Sequence, residues 1–137
     1  MQRLRTFLVL SGLAALLLVA GLSAAARADD CRYTAAVSVT AGNTTEIVAL
    51  TTSQRIRICN IAVSLSATGT MKFVTGTGTN CGTGTADLTS AMTLATGTPL
   101  TSNASPGQYL VEAPVSQAVC ITSATGNTVG WINYDKK

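Results

Sequence analysis

Three acidic side chains within the chain are the residues whose type best fits acid–base chemistry. Glu46, Asp87 and Glu112 would supply the two facing carboxylates that glycoside hydrolysis requires. Their spacing singles out no pair, and an acid at an exposed strand edge accounts for each of them. The sequence contains no histidine, so the usual catalytic triads and histidine metal sites cannot be built. We predict that the protein is not an enzyme, with a small carboxylate-based hydrolase as the least favoured alternative.

Four cysteines are the other residues with specific chemistry: Cys31, Cys59, Cys81 and Cys120. A zinc site would need closely spaced ligand pairs, which are absent, so an even number of cysteines predicts two disulfides. Three pairings are compatible with the sequence. We favour Cys59–Cys120 with Cys31–Cys81, because Cys59 and Cys120 lie in apolar, strand-like segments that could cross a core. With all four bridged, no thiol nucleophile remains.

A glycine- and threonine-rich segment, GTGTNCGTGT at residues 76–85, is the most distinctive stretch. A dinucleotide-binding loop would need a glycine where Cys81 stands, and a P-loop would need Gly-Lys-Ser/Thr. Calcium-binding glycine repeats would need regularly placed aspartates. We therefore predict no cofactor and no metal here. We expect a loop in which glycines supply positive φ angles and a disulfide holds the tip.

The first 28 residues have the pattern of a cleaved export signal. Arginines precede an apolar segment at residues 7–22, which is shorter than the roughly 20 residues that span a bilayer. A small-x-small site follows, so we predict cleavage after Ala28, with cleavage after Ala26 as the alternative. The residues before Cys31 are aspartates, which argues against a lipid anchor. Residues 29–137 are predicted to be secreted or periplasmic, with no membrane span after signal cleavage.

Charge is sparse in the predicted mature chain. Three of the nine Lys and Arg residues belong to the signal, which leaves six basic and six acidic side chains and a net charge of zero. A chain of this length forms one domain, at residues 29–137. Because a basic surface is lacking, we predict no nucleic-acid partner. Charged residues are 11% of the sequence against about 25% in ordinary domains, and a neutral, hydroxyl-rich surface suits self-association or adhesion.

Threonine abundance and the lack of helical apolar periodicity predict an all-β domain. Turn signals separate short strands, which indicates an antiparallel β-sandwich, Ig-like or jelly-roll-like, of seven to eight strands. The predicted strands cover residues 33–40, 44–50, 55–66, 71–75, 86–94, 109–113, 118–123 and 129–134.

Two of these strands carry further predictions. In 55–66 the apolar residues change parity near Ile58 and Cys59, which predicts a bulge there. In 129–134, Val129 and Trp131 share one face and Ile132 the other. We expect Trp131, the single tryptophan, to belong to the core, because a sugar-binding face usually has several aromatic residues.

The order of several segments resembles a group of short uncharacterised proteins, exported or phage-associated, in bacterial and phage-derived sequences. The similarity covers nearly all of residues 29–137. Its segments are Cys31, 48–50, 55–59, the 76–85 loop with 88–89, and 119–121. The loop, of the form GTGTxCGTGT around a cysteine, is its most specific part. The resemblance implies a virion-surface or adhesion module, and it implies no functional residue because no activity is established for the group.

We expect an exported structural or binding module at the cell exterior, which self-associates or adheres to a cell-surface partner. A homo-oligomer is one form of this. The alternatives are a phage-derived surface or decoration module and a pilus-like subunit. A subunit that accepts a donor strand usually has an apolar N-terminal extension before its first cysteine. Only Asp29 and Asp30 lie between the predicted cleavage site and Cys31, which disfavours it.

Overall fold

The computed structural model describes residues 31–137, and the predicted export signal lies outside the described residues. Ten strands and one 3-10 helix follow one another. They are β1 Tyr33–Val39, β2 Thr44–Val48, β3 Ile56–Leu65, β4 Gly69–Thr77, η1 Thr79–Cys81, β5 Thr83–Asp87, β6 Met92–Leu94, β7 Leu100–Asn103, β8 Val111–Glu112, β9 Ala118–Ser123 and β10 Thr128–Lys136.

The strands form two antiparallel five-stranded sheets, which confirms the predicted all-β sandwich. The first sheet has the order β1-β10-β3-β7, with β8 also paired to β3. The second has the order β2-β9-β4-β5, with β6 also paired to β4. The strand predicted at 86–94 is divided between β5 and β6, because the amides of Leu88 and Thr89 both bond to the carbonyl of Phe73 and turn the chain. The predictions omitted β7, whose sequence Leu-Thr-Ser-Asn lacks an apolar run.

One apolar core joins the sheets. Along most strands alternate residues point into it, as the two-residue period of β-structure requires, whereas all five residues of β5 are exposed. Its largest fully buried side chains include Phe73, Ile58, Ile121, Ile132 and Met71. Polar residues that reach this layer are hydrogen-bonded. The hydroxyl of Ser123 donates to the carbonyl of Gly126 at 2.7 Å, as buried hydroxyls require.

The predicted bulge in β3 is confirmed at Cys59. Asn60 pairs with Asn133 and Ile58 with Tyr134, so Cys59 is an extra residue opposite β10. Ile56 and Ile58 are buried before this position, and Ile61, Val63 and Leu65 after it. The extra residue therefore lets both apolar sets face the same core.

The two predicted disulfides are present, but the favoured pairing was wrong. The bridges are Cys31–Cys59 and Cys81–Cys120, and no cysteine is free. The bulge turns Cys59 away from the core of the first sheet. Cys120 pairs with Val74 on the face of the second sheet opposite the core residues Phe73 and Ile121. A bridge across the core between Cys59 and Cys120 is therefore excluded by orientation.

The glycine–threonine segment covers the outer face of the second sheet. Its η1 turn packs Cys81 against Val74, Ala118 and Cys120, which form a small cluster of buried residues. Gly78 has φ 73°, and the side-chain oxygen of Asn80 accepts the amide of Glu46 on β2 at 3.0 Å. The predicted disulfide at the tip is confirmed. Positive φ is confirmed at Gly78 and Gly84 but not at Gly82, whose φ is −70°. The ends of the segment belong to β4 and β5 and are therefore not loop.

Candidate functional site

The three acids that could have formed a hydrolase site lie on three different strands. Glu46 is on β2 and Asp87 on β5, at opposite edges of the second sheet. Three strand spacings, about 14 Å, separate these edges. Glu112 is on β8 in the first sheet. Cooperating glycosidase carboxylates lie roughly 5–10 Å apart, which is less than the separation of the strands that carry Glu46 and Asp87.

Glu112 is engaged in a structural ion-pair cluster. Its Oε1 accepts a hydrogen bond from Arg55 Nη1 at 2.7 Å, and its Oε2 accepts one from Arg57 Nε at 2.6 Å. The hydrogen bond from Arg57 holds the pKa of Glu112 below its ordinary value, against an opposing effect of partial burial. The guanidinium of Arg57 also lies 4.9 Å from the ring centre of Tyr109. These contacts tie β8 and the loop before it to β3.

Asp135 is the one acidic side chain that is buried among the described residues, at 2% exposure. Its Oδ1 lies 3.7 Å from Arg32 Nε and its Oδ2 lies 3.4 Å from Lys137 Nζ. A cleft of about 10 Å³ beside it is lined by Arg57, Tyr109 and others. That volume holds one water molecule at most.

The outward side chains of the first sheet form a broad, uncharged surface, which we call the tryptophan face. The strand register arranges them in three rows across β1, β10, β3 and β7. The rows are Thr34, Asn133, Asn60 and Asn103; Ala36, Trp131, Ala62 and Thr101; and Ser38, Val129 and Ser64. None of these residues carries a charge. Charged side chains begin beyond the bulge at Cys59, where Arg57 of β3 lies opposite Asp135 of β10 in the strand register.

Trp131 lies in the middle of this face, so the prediction that it belongs to the core was wrong. Its side chain is 42% exposed, and that of Val129 is 46% exposed. The inward positions of β10 are taken by Ile132, which is fully buried, and by Gly130, where the backbone of β3 comes close. Since side chains alternate along a strand, Val129 and Trp131 must point outward.

The sequence showed which residues of β10 share a face, but it did not show whether that face points to solvent or to the core. The separation of Val129 and Trp131 from Ile132 was visible as strand parity. Both faces of β10 carry apolar residues, so parity alone could not show which one meets the core. The face that meets the core is identified by Ile132, which is fully buried in the structure.

Other kinds of site find no support in the part of the chain that the structure describes. Among residues 31–137, no three His, Cys, Asp or Glu side chains are grouped so that they could hold a metal ion. No helix of this region is long and apolar enough to cross a membrane.

Comparisons of the chain with protein-family models, with curated proteins and with solved structures found no match. The fold and the tryptophan face are therefore the observations from which a function must be inferred.

Proposed function

We propose that this chain is an exported, non-enzymatic binding module that acts at the cell exterior, either secreted or periplasmic. The observation that carries the proposal is the tryptophan face. It presents a large aromatic ring and a valine to solvent on a rigid sheet, in surroundings that contain no charge. Solvent-exposed aromatic residues at the centre of a charge-depleted patch are typical of the core of a recognition surface.

The cysteines support the exported setting. Two disulfides indicate an oxidising environment, because such bridges persist outside the reducing cytosol. They account for all four cysteines, and each ties a peripheral segment to one sheet. This matches the N-terminal segment, whose sequence predicts export and cleavage after Ala28.

The charged groups support binding over catalysis. Glu112 is held by two arginines, and Asp87 pairs with Lys72 at 2.7 Å. The lowered pKa of Glu112 makes its carboxyl group poorly suited to donate a proton at neutral pH. The three acids also lie on three different strands of the two sheets.

Self-association is the second candidate, and a separate element favours it. Strand β5, Thr83–Asp87, is at the edge of the second sheet and all five of its residues are exposed. An exposed edge strand can pair with a strand of another copy. Gly84, with φ 62°, interrupts its extended course, which makes this edge a poorer template than a regular strand. We therefore place it after recognition through the tryptophan face.

The experiment follows the full-length chain in producing cells. Mass spectrometry of the exported product should give the mass of residues 29–137 with four cysteines oxidised. The purified product, labelled, should bind intact cells saturably and be displaced by unlabelled protein, with little effect of salt. Retention of the leader with free thiols would contradict export. Absence of saturable binding to any cell surface, with the protein monomeric at high concentration, would contradict a binding role.

A further inference from the structure

We propose that the tryptophan face binds a neutral glycan chain, with the ring of Trp131 as the stacking surface for a sugar ring. The inference rests on the proposed function and names the partner of that face. Three properties of the face lead to it: the exposure of the indole, the polar groups around it, and its size and charge.

The indole is open to a flat ligand. Its two cross-strand neighbours are Ala36 and Ala62, whose methyl side chains are too short to cover it. Trp131 is 42% exposed although it belongs to an interior strand of the sheet. The C–H groups on one side of a sugar ring carry partial positive charge, and the face of an aromatic ring is negative. A pyranose ring is therefore a suitable partner for this surface. Because Trp131 is the single aromatic residue of the three rows, it stacks one sugar ring, and the other contacts of the glycan are polar.

An adjacent row supplies polar groups for sugar hydroxyls. Asn133, Asn60 and Asn103 occupy consecutive strands in register. The side-chain oxygen of Asn133 accepts a hydrogen bond from the hydroxyl of Thr34 at 3.1 Å, and this orients its amide group. Amides both donate and accept, and each can bridge neighbouring hydroxyls. A row of amides beside an aromatic ring thus offers stacking and hydrogen bonding along the same direction.

Size and charge favour a glycan over the competing occupants. The rows span about three strand spacings by two side-chain repeats, roughly 14 Å by 14 Å. The rows alone are smaller than the approximately 800 Å² per partner of a stable protein interface, so a protein partner would have to contact residues beyond them. A nucleic acid would need cations to neutralise phosphates, and the face has none. A neutral, extended chain of hydroxylated rings fits both the small area and the missing charge.

The test uses Trp131 as its own reporter, because it is the only tryptophan in the sequence. The purified, oxidised chain is titrated with neutral hexasaccharides of β-1,4-glucose, β-1,4-N-acetylglucosamine and α-1,4-glucose. A hexamer of galacturonic acid serves as the anionic counterpart. We expect a saturable change in tryptophan emission with at least one neutral hexamer, with binding at least about tenfold weaker for the anionic one.

Variants then locate the site by calorimetry with the hexamer that binds. Trp131→Ala removes the stacking surface, and Ala36→Glu places a charge beside it. Each should weaken binding at least about tenfold. Thr93→Glu is the matched control, since it adds the same charge at an exposed position of β6 on the other sheet, and should change affinity less than about twofold. Equal thermal unfolding of all variants shows that the fold is kept.

Three results would overturn the glycan assignment. The first is an unchanged tryptophan emission with every neutral hexamer. The second is tighter binding of the anionic hexamer that weakens with salt, which would move the site to the arginine cluster. The third is a blue shift that depends on protein concentration alone with a dimer in sedimentation, which would make a second copy the occupant. If the wild-type chain binds cells saturably and Trp131→Ala abolishes that binding while no neutral hexamer binds, the glycan assignment fails and the proposed binding function of the tryptophan face stands.

Discussion

Gly130 is the residue on which the central packing of the first sheet depends most directly. A β-carbon at this position would overlap the carbonyl of Ala62 and approach Cα of Val63 to 2.7 Å. Its φ of 148° is also unfavourable for any other residue. We expect Gly130→Ala to lower the free energy of unfolding by about 2–4 kcal/mol, as measured by urea denaturation.

Gly42 provides the control for that substitution. It also has positive φ, at 76°, but a β-carbon there meets no atom within 4 Å. Gly42→Ala should therefore cost about 1 kcal/mol through backbone conformation alone. Equal losses for the two variants would show that close packing against β3 is not what requires glycine at position 130.

The ion pairs of Glu112 predict a stability that depends on acidic pH. The pKa of Glu112 is lowered in the folded state by its hydrogen bond from Arg57, so the carboxylate stabilises the fold above its unfolded pKa of about 4.5. This contribution is lost as the pH falls through the lower folded value. Glu112→Gln should reduce stability by about 1 kcal/mol at pH 7, with little difference from the wild type near pH 2.

The matched variant for this prediction is Asp87→Asn. Asp87 pairs with Lys72 on the second sheet, with the Asp87 side chain 57% exposed, and water screens such a pair. Thermal unfolding across the acid range should therefore show a smaller effect of this variant than of Glu112→Gln. A loss of stability in Glu112→Gln that persists unchanged at pH 2 would mean that packing, and not charge, is responsible.

At the scale of elements, the sequence predicted the features that depend on the alternation of residues along one strand. It did not predict the features that depend on which side of a sheet a residue faces. The bulge in β3 followed from the parity change at Cys59, which is a property of one strand. The disulfide pairing and the position of Trp131 depend on which side of a sheet each residue occupies. Those sides are fixed by packing between strands that are distant in sequence, and a strand with apolar residues on both faces does not reveal them.

We predict that the Cys81–Cys120 bridge stabilises the glycine–threonine segment locally. This bridge holds the η1 turn over the outer face of the second sheet, where Val74 and Ala118 are buried beneath it. Replacing both cysteines by alanine should cost about 2–5 kcal/mol. Hydrogen exchange should also show selective loss of amide protection in η1 and at Glu46, whose amide bonds to Asn80.

The second disulfide is the control for that experiment. Cys31–Cys59 joins the segment before β1 to the bulge of β3, far from η1 in the other sheet. Its double alanine variant should lose stability by a comparable amount while protection at Glu46 is retained. If both double variants lost protection at the same amides, the bridges would be stabilising the whole domain and not separate segments.

At the scale of the whole molecule, β10 joins β1 to β3, although it is the last of the described strands in the chain. Strand β10 lies between β1 and β3 in the first sheet, and it carries the central residue of the tryptophan face. Neither β1 nor the three-row surface can form until β10 has been added.

This order predicts a sharp dependence on the C-terminal strand. A chain that ends after Asn127 lacks β10, leaves β1 without a partner, and exposes the core at Ile58 and Ile61. We expect it to show no cooperative unfolding transition and to contain mixed disulfides by peptide mapping. A chain that ends after Asp135 keeps every pair of β10 except that of Lys136 with Ile56, and should fold with the Cys31–Cys59 and Cys81–Cys120 bridges. Because β10 is central and not peripheral, a native disulfide pattern in the shorter chain would contradict the assigned strand order itself.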